Sequence, residues 1–357
     1  MREGELVETL KMRALPKSSD DYLTLLEFLR LYRDATQFVI NKLWSLNKVP
    51  SISTLHRMFY NELRKHGFRA HHVKQIYVYA KAIARASKQN GGKKPVLRKL
   101  SARIDKYDYK LDLENRMLVL KIHSGREVKL RLLTSIDRIE KFRAWSNYEI
   151  AVKVVEDEVY VAVYFRKTVK PRKTRTVMTV DMNFDNVTLA VFTSSGELLK
   201  LKRFKTLLRK ILTHRIWIER IQRRYSKSWR FIRGVRRAIR RHGERIRSIA
   251  WDYAHKLGDR VAKIADEHSS TIVLENLSDL RSNVNRSNSF NKKLSLWFYR
   301  KIQFTISYEA LERRLEVKLV NPGKTSSTCP RCGSRLEDSG SRVLRCGRCG
   351  FTGDRDV

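Results

Sequence analysis

Four cysteines near the carboxyl end of the chain have the spacing of a metal site. Cys329 and Cys332 belong to one CxxCG segment, and after thirteen intervening residues Cys346 and Cys349 belong to a second. Two such tight turns can bring four thiolates around one tetrahedral ion, which predicts a structural zinc site. Iron bound by the same four sulfurs, or two disulfides, are the alternatives. A closed four-sulfur site leaves no open position, so we do not expect catalysis there.

Three carboxylates lie where an acidic side chain is unusual. Asp181 interrupts the apolar run TVDM, Glu275 ends the run IVLE, and Asp356 follows the second cysteine pair. Any one of them alone is most simply a strand-end cap or an ion-pair partner, because an unpaired buried carboxylate is costly. Together they could hold two Mg²⁺ ions about 3.5–4 Å apart, the arrangement that hydrolyses phosphodiesters. The sequence therefore predicts a catalytic magnesium site made from these three residues.

The charge of the chain indicates a polyanionic partner. Seventy-six Lys and Arg face 37 Asp and Glu, which gives a formal net charge of +39 over 357 residues. So large an excess repels itself unless an anionic polymer neutralises it, and nucleic acid is the leading candidate. A membrane surface is the alternative, but the basic residues run through the whole chain rather than along one amphipathic helix. We expect nucleic acid as the partner and no membrane.

The cysteines and the amino-terminal residues indicate the cellular compartment of the protein. All four cysteines lie in the terminal cluster, whereas a secreted disulfide protein would distribute them, so a reducing compartment is expected. No apolar run is long enough to span a bilayer. The stretch MREGELVETLKMRAL differs from a signal peptide because charges interrupt its apolar residues. We therefore expect a cytoplasmic, nucleoid-associated protein.

The elements that must position these residues differ between the two halves of the chain. In the first half, residues 2–15 alternate as a strand, and helical spacing follows between residues 18 and 88. Two period-two stretches, 117–133 and 148–165, each contain a central turn signal and predict β-hairpins. A helical insert between one strand and later hairpins indicates a small β-barrel that carries a helical lobe.

The second half predicts a mixed α/β sheet. Three consecutive strands occupy residues 176–205, a short buried strand ends at Glu275, and a helix over 294–315 precedes a last strand. Region 201–250 has eighteen Lys and Arg against two acidic residues, which favours a helical contact with nucleic acid over a merely solvated hairpin. A polar loop is expected over residues 278–291. This order of elements is compatible with a ribonuclease H fold.

The order of these motifs resembles a known family. The strand TVDMNFDNVTLAVF is followed by LENL after a basic helical hairpin, then by the helix LWFYRKIQFTISYEA and by VNPGKTSSTCPRCG…CGRCGFTGDRD. This succession resembles the TnpB (OrfB-type) family of transposon-encoded, RNA-guided DNA nucleases, which are related to type V CRISPR effectors. The resemblance is strongest over residues 176–357, and the TSxxCPxCG…CxxCG…DRD segment is its most specific part.

The resemblance implies an α/β multidomain protein. It would combine a RuvC-like nuclease domain of ribonuclease H fold, an inserted zinc ribbon, and a β-barrel wedge domain that carries a helical recognition lobe. The implied activity is Mg²⁺-dependent cutting of target double-stranded DNA that pairs with a bound guide RNA, by a monomer with its RNA. The implied bounds are 1–17 and 102–170 for the wedge, 18–101 for the lobe, 171–324 and 350–357 for the nuclease domain, and 325–349 for the ribbon.

The resemblance also assigns roles to single residues. Asp181 matches the first catalytic carboxylate and Glu275 the second. The third is Asp356, the later Asp of DRD, with Asp354 as an outside candidate. The zinc-ribbon cysteines of the family fall on the four cysteines named above. The implied cofactors are a structural Zn²⁺ ion and catalytic Mg²⁺ ions.

Two departures from the family pattern bear on activity. Asn183 stands where the family usually has the glycine of Asp-x-Gly. Family members continue past DRD into a helix of the Asn-Ala-Ala type, so we expect a C-terminally truncated nuclease domain here. The alternative function is a cleavage-inactive remnant, or a guide-directed DNA-binding repressor, of the same family. A zinc-ribbon RNA-binding protein is less favoured, because it leaves Asp181 and Glu275 on apolar strands unexplained.

Overall fold

The chain divides into two units in the computed structural model. One comprises residues 7–167, and the other combines residues 1–6 with residues 168–357. Asp356, and the loop predicted over 278–291 apart from its last residue, lie outside the described residues. The finer domain bounds stay predictions. The structure describes residues 4–277, 291, 294–323, 327–338 and 343–354.

Three long helices follow the first strand of the unit 7–167. The first begins after Ser18, whose side-chain oxygen caps the helix by accepting a hydrogen bond from the Asp21 backbone nitrogen at 3.1 Å. Its apolar stripe, which includes Phe28, Leu29 and Val39, is fully buried in the core of this unit. The three helices are α1 (Ser19–Trp44), α2 (Ile52–Arg64) and α3 (Ala70–Gln89).

A seven-stranded sheet forms the rest of this unit. Its strands are β1 (Gly4–Pro16), β2 (Leu100–Asp105), β3 (Tyr109–Asp112), β4 (Met117–Lys121), β5 (Glu127–Leu133), β6 (Ser146–Val155) and β7 (Glu158–Val169), with a short helix α4 (Ile136–Glu140) after β5. The order is β2-β6-β7-β1-β5-β4-β3, so β1 lies between the two predicted hairpins, and both are present. Glu156 and Asp157 close the second with φ angles of 51° and 62°, which suit a two-residue turn. Closure of this sheet into a barrel stays a prediction.

The other unit is built on a five-stranded mixed sheet. Its strands are β8 (Thr176–Met182), β9 (Asn186–Phe192), β10 (Leu198–Lys205), β11 (Ser270–Glu275) and β12 (Val317–Val320). Their order is β10-β9-β8-β11-β12. The first three strands are antiparallel neighbours, whereas β11 runs parallel to both β8 and β12. The predicted mixed α/β sheet is thereby confirmed.

Three long helices of the described residues accompany this sheet and contribute to its core. They are α5 (Leu208–Arg224), α6 (Arg233–Glu267) and α7 (Tyr299–Glu312). Helices α6 and α7 approach closely at Gly258, where an added Cβ would lie 2.9 Å from the backbone carbonyl carbon of Thr305. Val261 on α6 and Ile302 on α7 are fully buried with the strand residue Ile272. Within the described parts of the chain, no helix is long and apolar enough to cross a membrane.

A third, three-stranded sheet lies in the carboxyl-terminal segment. Its strands are β13 (Leu336–Asp338), β14 (Val343–Cys346) and β15 (Thr352–Asp354), with β14 in the centre and antiparallel to both neighbours. The buried residues in the described portion of 327–354 are only Cys329, Leu344 and Cys346. So small an apolar core provides little stability, which favours a metal as the structural centre of this segment.

Candidate functional site

The four cysteines form one cluster whose geometry fits a tetrahedral metal ion. Their sulfur atoms all lie within 4.8 Å of one another. The Cys329–Cys349 and Cys332–Cys346 sulfur pairs are each 3.5 Å apart, far beyond the roughly 2.05 Å of a disulfide. The alternative of two disulfides is therefore wrong for this structure. Sulfurs bound about 2.3 Å from a zinc ion would be separated by about 3.8 Å, so this donor set could bind zinc.

Both CxxCG segments adopt the same turn, as the sequence predicts. Gly333 and Gly350 have φ angles of 71° and 70°, a backbone region that favours glycine. Their backbone nitrogens donate to the carbonyls of Cys329 and Cys346 at 2.9 and 3.0 Å. Hydrogen bonds from the side chain and backbone of Ser334 lower the pKa of the Cys332 thiol to about 6, whereas desolvation and hydrogen bonds with the other three cysteines raise the pKa of the Cys349 thiol to about 12. A metal ion would bind all four as thiolates.

Asp181 and Glu275 lie level with each other on neighbouring parallel strands. Strand β8 carries Asp181 and strand β11 ends with Glu275. The last matched pair between these strands is Val180 with Leu274, so the next residue on each strand is one of the two acids. Adjacent strands are about 4.8 Å apart, and residues at equal height in a parallel pair face the same side. The sheet thus brings these two predicted residues together.

Hydrogen bonds tie both acidic residues to neighbouring parts of the fold. The Asn183 side-chain nitrogen donates to the Oδ2 atom of Asp181 at 2.6 Å. The backbone carbonyl of Glu275 accepts from the Gln303 side chain on α7 at 2.6 Å, which ties the strand end to a helix. Both acids are half-buried. Neighbouring carboxylates at the ends of adjacent strands offer oxygen ligands, the kind of donor that suits Mg²⁺.

Asp354, the outside candidate, lies on β15 and forms an ion pair with Arg203 on β10. Arg203 is paired with Thr188 on β9, and Thr188 is paired with Asp181 on β8. These three residues therefore form one row across the sheet, and Asp354 contacts that row two strands away from Asp181. Asp356 lies outside the described residues.

Sequence reasoning missed the contributions of Asn183 and Arg203. Asn183 was noted as a departure from Asp-x-Gly, although an amide two residues from an aspartate has the reach to bond it. Arg203 lies in a stretch with many basic residues, so nothing in the sequence separates it from its neighbours. Its alignment with Asp181 depends on strand register, which local sequence does not specify.

Comparison with known sequences and family models finds TnpB-like relatives. A TnpB-like protein of Methanocaldococcus jannaschii is 29% identical over 234 residues, covering 64% of this chain and 83% of that protein. A second TnpB-like protein of the same organism is 34% identical over 113 residues, or 32% of this chain, but that match spans only 25% of the relative. The family model "Cas12f1-like, TNB domain" matches residues 299–357.

Comparison of folds gives a consistent result. A Cas12f1–sgRNA–target DNA complex solved by cryo-electron microscopy contains a chain that matches with a TM-score of 0.62. The match covers 93% of this chain and 92% of that one at 11% sequence identity, so it shows a shared fold. Together these comparisons confirm that the chain resembles the TnpB family, which is related to type V CRISPR effectors.

Proposed function

We propose that this chain is an RNA-guided DNA endonuclease of an insertion-sequence transposon, which cuts DNA by two-metal phosphodiester hydrolysis. The observation that carries the proposal is the level placement of Asp181 and Glu275 at the ends of adjacent parallel strands. Two carboxylates that face the same side at this spacing can share a pair of metal ions. The TnpB-like relatives and the fold shared with a chain from a complex that holds RNA and DNA support this assignment.

The finer domain assignment belongs to the same proposal. The strand order β10-β9-β8-β11-β12, with three antiparallel strands followed by two parallel ones, supports a RuvC-like domain of ribonuclease H fold. The seven-stranded sheet with α1–α3 would be the wedge and the recognition lobe. The predicted bounds of these domains are retained.

The chemistry assigns a separate task to each side chain. Bound Mg²⁺ would polarise the phosphodiester and lower the pKa of an attacking water. Asp181 and Glu275 would hold the ions, and Asp356 would supply the third carboxylate. Asn183 would keep the Asp181 carboxylate in the orientation that its hydrogen bond fixes. The four cysteines would hold zinc and take no part in the reaction.

The excess positive charge supports the partners that this function requires. A net charge of +39 can neutralise phosphates of both a guide RNA and the target DNA duplex. In such a complex the base pairing of the guide reads the target sequence, and the protein reads backbone shape and a short motif.

The proposal is tested by cleavage with the intact ribonucleoprotein. The chain is expressed with the genomic DNA that flanks its gene, purified with its bound RNA, and given Mg²⁺ and a target that matches this RNA. Asp181→Ala and Glu275→Ala are expected to reduce cleavage by a factor on the order of a thousand, since metal ligands contribute several kcal/mol to the transition state. Guide-dependent DNA binding should persist in both variants.

Asp185→Ala is the matched control, because this exposed acid lies on the same segment but outside the row of Asp181. It should cleave like the unmodified chain. Guide-dependent binding by the unmodified chain without any cleavage would reject the nuclease and favour the guide-directed repressor.

A further inference from the structure

The end of the helical hairpin formed by α5 and α6 contains a cavity that the proposed metal site does not use. We call residues 225–243 the hairpin tip. The cavity has a volume of about 580 Å³, within the range of roughly 300–1,000 Å³ that is typical of small-molecule sites. Its lining consists of Trp229, Arg233, Arg236, Arg237, Ile239 and Arg240.

Most of the positive charge around this cavity is uncompensated. The hairpin tip contains seven Lys and Arg and no Asp or Glu. Arg240 forms an ion pair with Glu244 at 3.6 Å, whereas Arg233, Arg236 and Arg237 form none among the ion pairs of the described residues. Exposed guanidinium groups on consecutive turns repel one another, so an anion between them would be stabilised. Arginine suits phosphate because its planar group donates two parallel hydrogen bonds.

Aromatic rings accompany these arginines at the surface. The side chain of Phe231 is 84% exposed, more than any other large apolar side chain among the described residues. The Arg230 guanidinium lies 5.4 Å from the ring centre of Trp229, and that of Arg224 lies 5.9 Å from Tyr225. Exposed aromatic rings interleaved with arginines provide stacking surfaces for bases beside sites for phosphates.

We propose that the hairpin tip binds an unpaired nucleotide of RNA, with its phosphates between Arg233, Arg236 and Arg237 and its base stacked on Phe231. A duplex keeps its bases stacked inside, whereas folded RNA presents unstacked nucleotides in loops and bulges. This ligand chemistry therefore favours a single-stranded part of an RNA. The inference rests on the RNA partner of the proposed function, but it makes no use of the carboxylates.

Stacking is tested with the full-length chain after removal of co-purified RNA. Binding of a labelled single-stranded RNA of about twelve nucleotides is measured by fluorescence anisotropy. Phe231→Ala should weaken affinity between about fivefold and a hundredfold, because one stacked base contributes on that scale. Phe231→Trp keeps a stacking surface and should retain the affinity. Because Phe231 is so exposed, neither change should alter the melting temperature; equal affinity of all three proteins would overturn the stacking assignment.

The phosphate contacts are tested by the salt dependence of the same binding. Arg233→Gln with Arg237→Gln should lower the slope of log affinity against log salt by about 1.4, or about 0.7 for each lost phosphate contact. The control carries Arg143→Gln and Arg215→Gln, which remove the same charge from arginines paired with Glu140 and Glu219. An equal loss of slope in test and control variants would show general electrostatics and overturn the proposal.

Two further binding measurements identify the ligand and distinguish a failure of this inference from a failure of the proposed nuclease function. A single-stranded DNA of the same length and sequence should bind more weakly than the RNA, and Phe231→Ala should reduce its affinity less. If DNA and RNA bind with equal affinity and lose it equally on Phe231→Ala, the choice of RNA is overturned. Asp181→Ala should bind the RNA normally. A hairpin-tip defect in a chain that never cleaves would therefore support this inference while the proposed nuclease fails.

Discussion

At the scale of single residues, Asn183 contributes to the candidate metal site through Asp181. Its side-chain nitrogen donates to Asp181 Oδ2 at 2.6 Å, and its backbone nitrogen donates to the Asn186 carbonyl at 2.9 Å. The second bond closes the turn between β8 and β9, so the first is made from a fixed position. A glycine in this place would provide the turn without the amide. Asn183 is thus a positioning residue for the carboxylate.

Replacing Asn183 by alanine should raise the Mg²⁺ concentration that the proposed cleavage requires by about tenfold to a hundredfold, the usual effect of losing a group that orients a metal ligand. Cleavage at low Mg²⁺ should fall and should recover at saturating Mg²⁺. The measurement is a Mg²⁺ titration of the cleavage rate, with Asp185→Ala as the control. A loss that is the same at every Mg²⁺ concentration would show that Asn183 does not act through the metal.

At the scale of elements, the packing of apolar side chains within the ribbon β13–β15 is too small to explain its stability. Only three residues are buried in the described portion of this segment, and two of them are cysteines. The ion pair between Arg203 and Asp354 joins it to the five-stranded sheet, but both side chains are over a third exposed. Such a pair contributes about 0–1 kcal/mol, whereas zinc contributes about 10–16 kcal/mol to the folding of small zinc-finger peptides. A metal bound by the four cysteines would therefore be the main source of ribbon stability.

Changing Cys332 to serine should remove the bound metal, about one equivalent per chain, and unfold the ribbon. Elemental analysis of the purified protein measures the metal and also distinguishes zinc from iron. Hydrogen exchange should show lost protection in β13–β15 and unchanged protection in the helices of the unit 7–167. Arg348→Ser changes an exposed residue inside the second CxxC segment and should keep the metal. Full metal content in Cys332→Ser would contradict the four-cysteine site.

At the scale of the whole molecule, local patterns were predictable and long-range arrangements were not. The Ser18 cap and the Glu156–Asp157 turn depend on neighbouring residues, so the sequence contains their full cause. The carboxylates suggested that Asp181 and Glu275 act together, but their equal height depends on the register of strands about ninety residues apart, which local sequence does not specify. The exposure of Phe231 depends on how the chain folds between α5 and α6, which its neighbours in the sequence do not specify.

The charge distribution of the whole molecule leads to a prediction about stability. A net charge of +39 destabilises the folded chain through repulsion, whereas individual exposed ion pairs each contribute about 0–1 kcal/mol. After removal of nucleic acid, raising sodium chloride from about 0.1 M to about 1 M shortens the screening length from about 10 Å to about 3 Å. The melting temperature should therefore rise, by about 2–4 °C for each kcal/mol of repulsion removed.

Bound RNA neutralises the same charges. The protein–RNA complex should therefore have a higher melting temperature at low salt than the RNA-free chain, and its melting temperature should rise less when salt is added. The comparison uses chloride, because sulfate and phosphate also strengthen apolar burial and would obscure the screening effect. A melting temperature of the RNA-free chain that falls with chloride would mean that attractive ion pairs outweigh the repulsion. In that case the excess charge would serve nucleic-acid binding without a cost to the folded state.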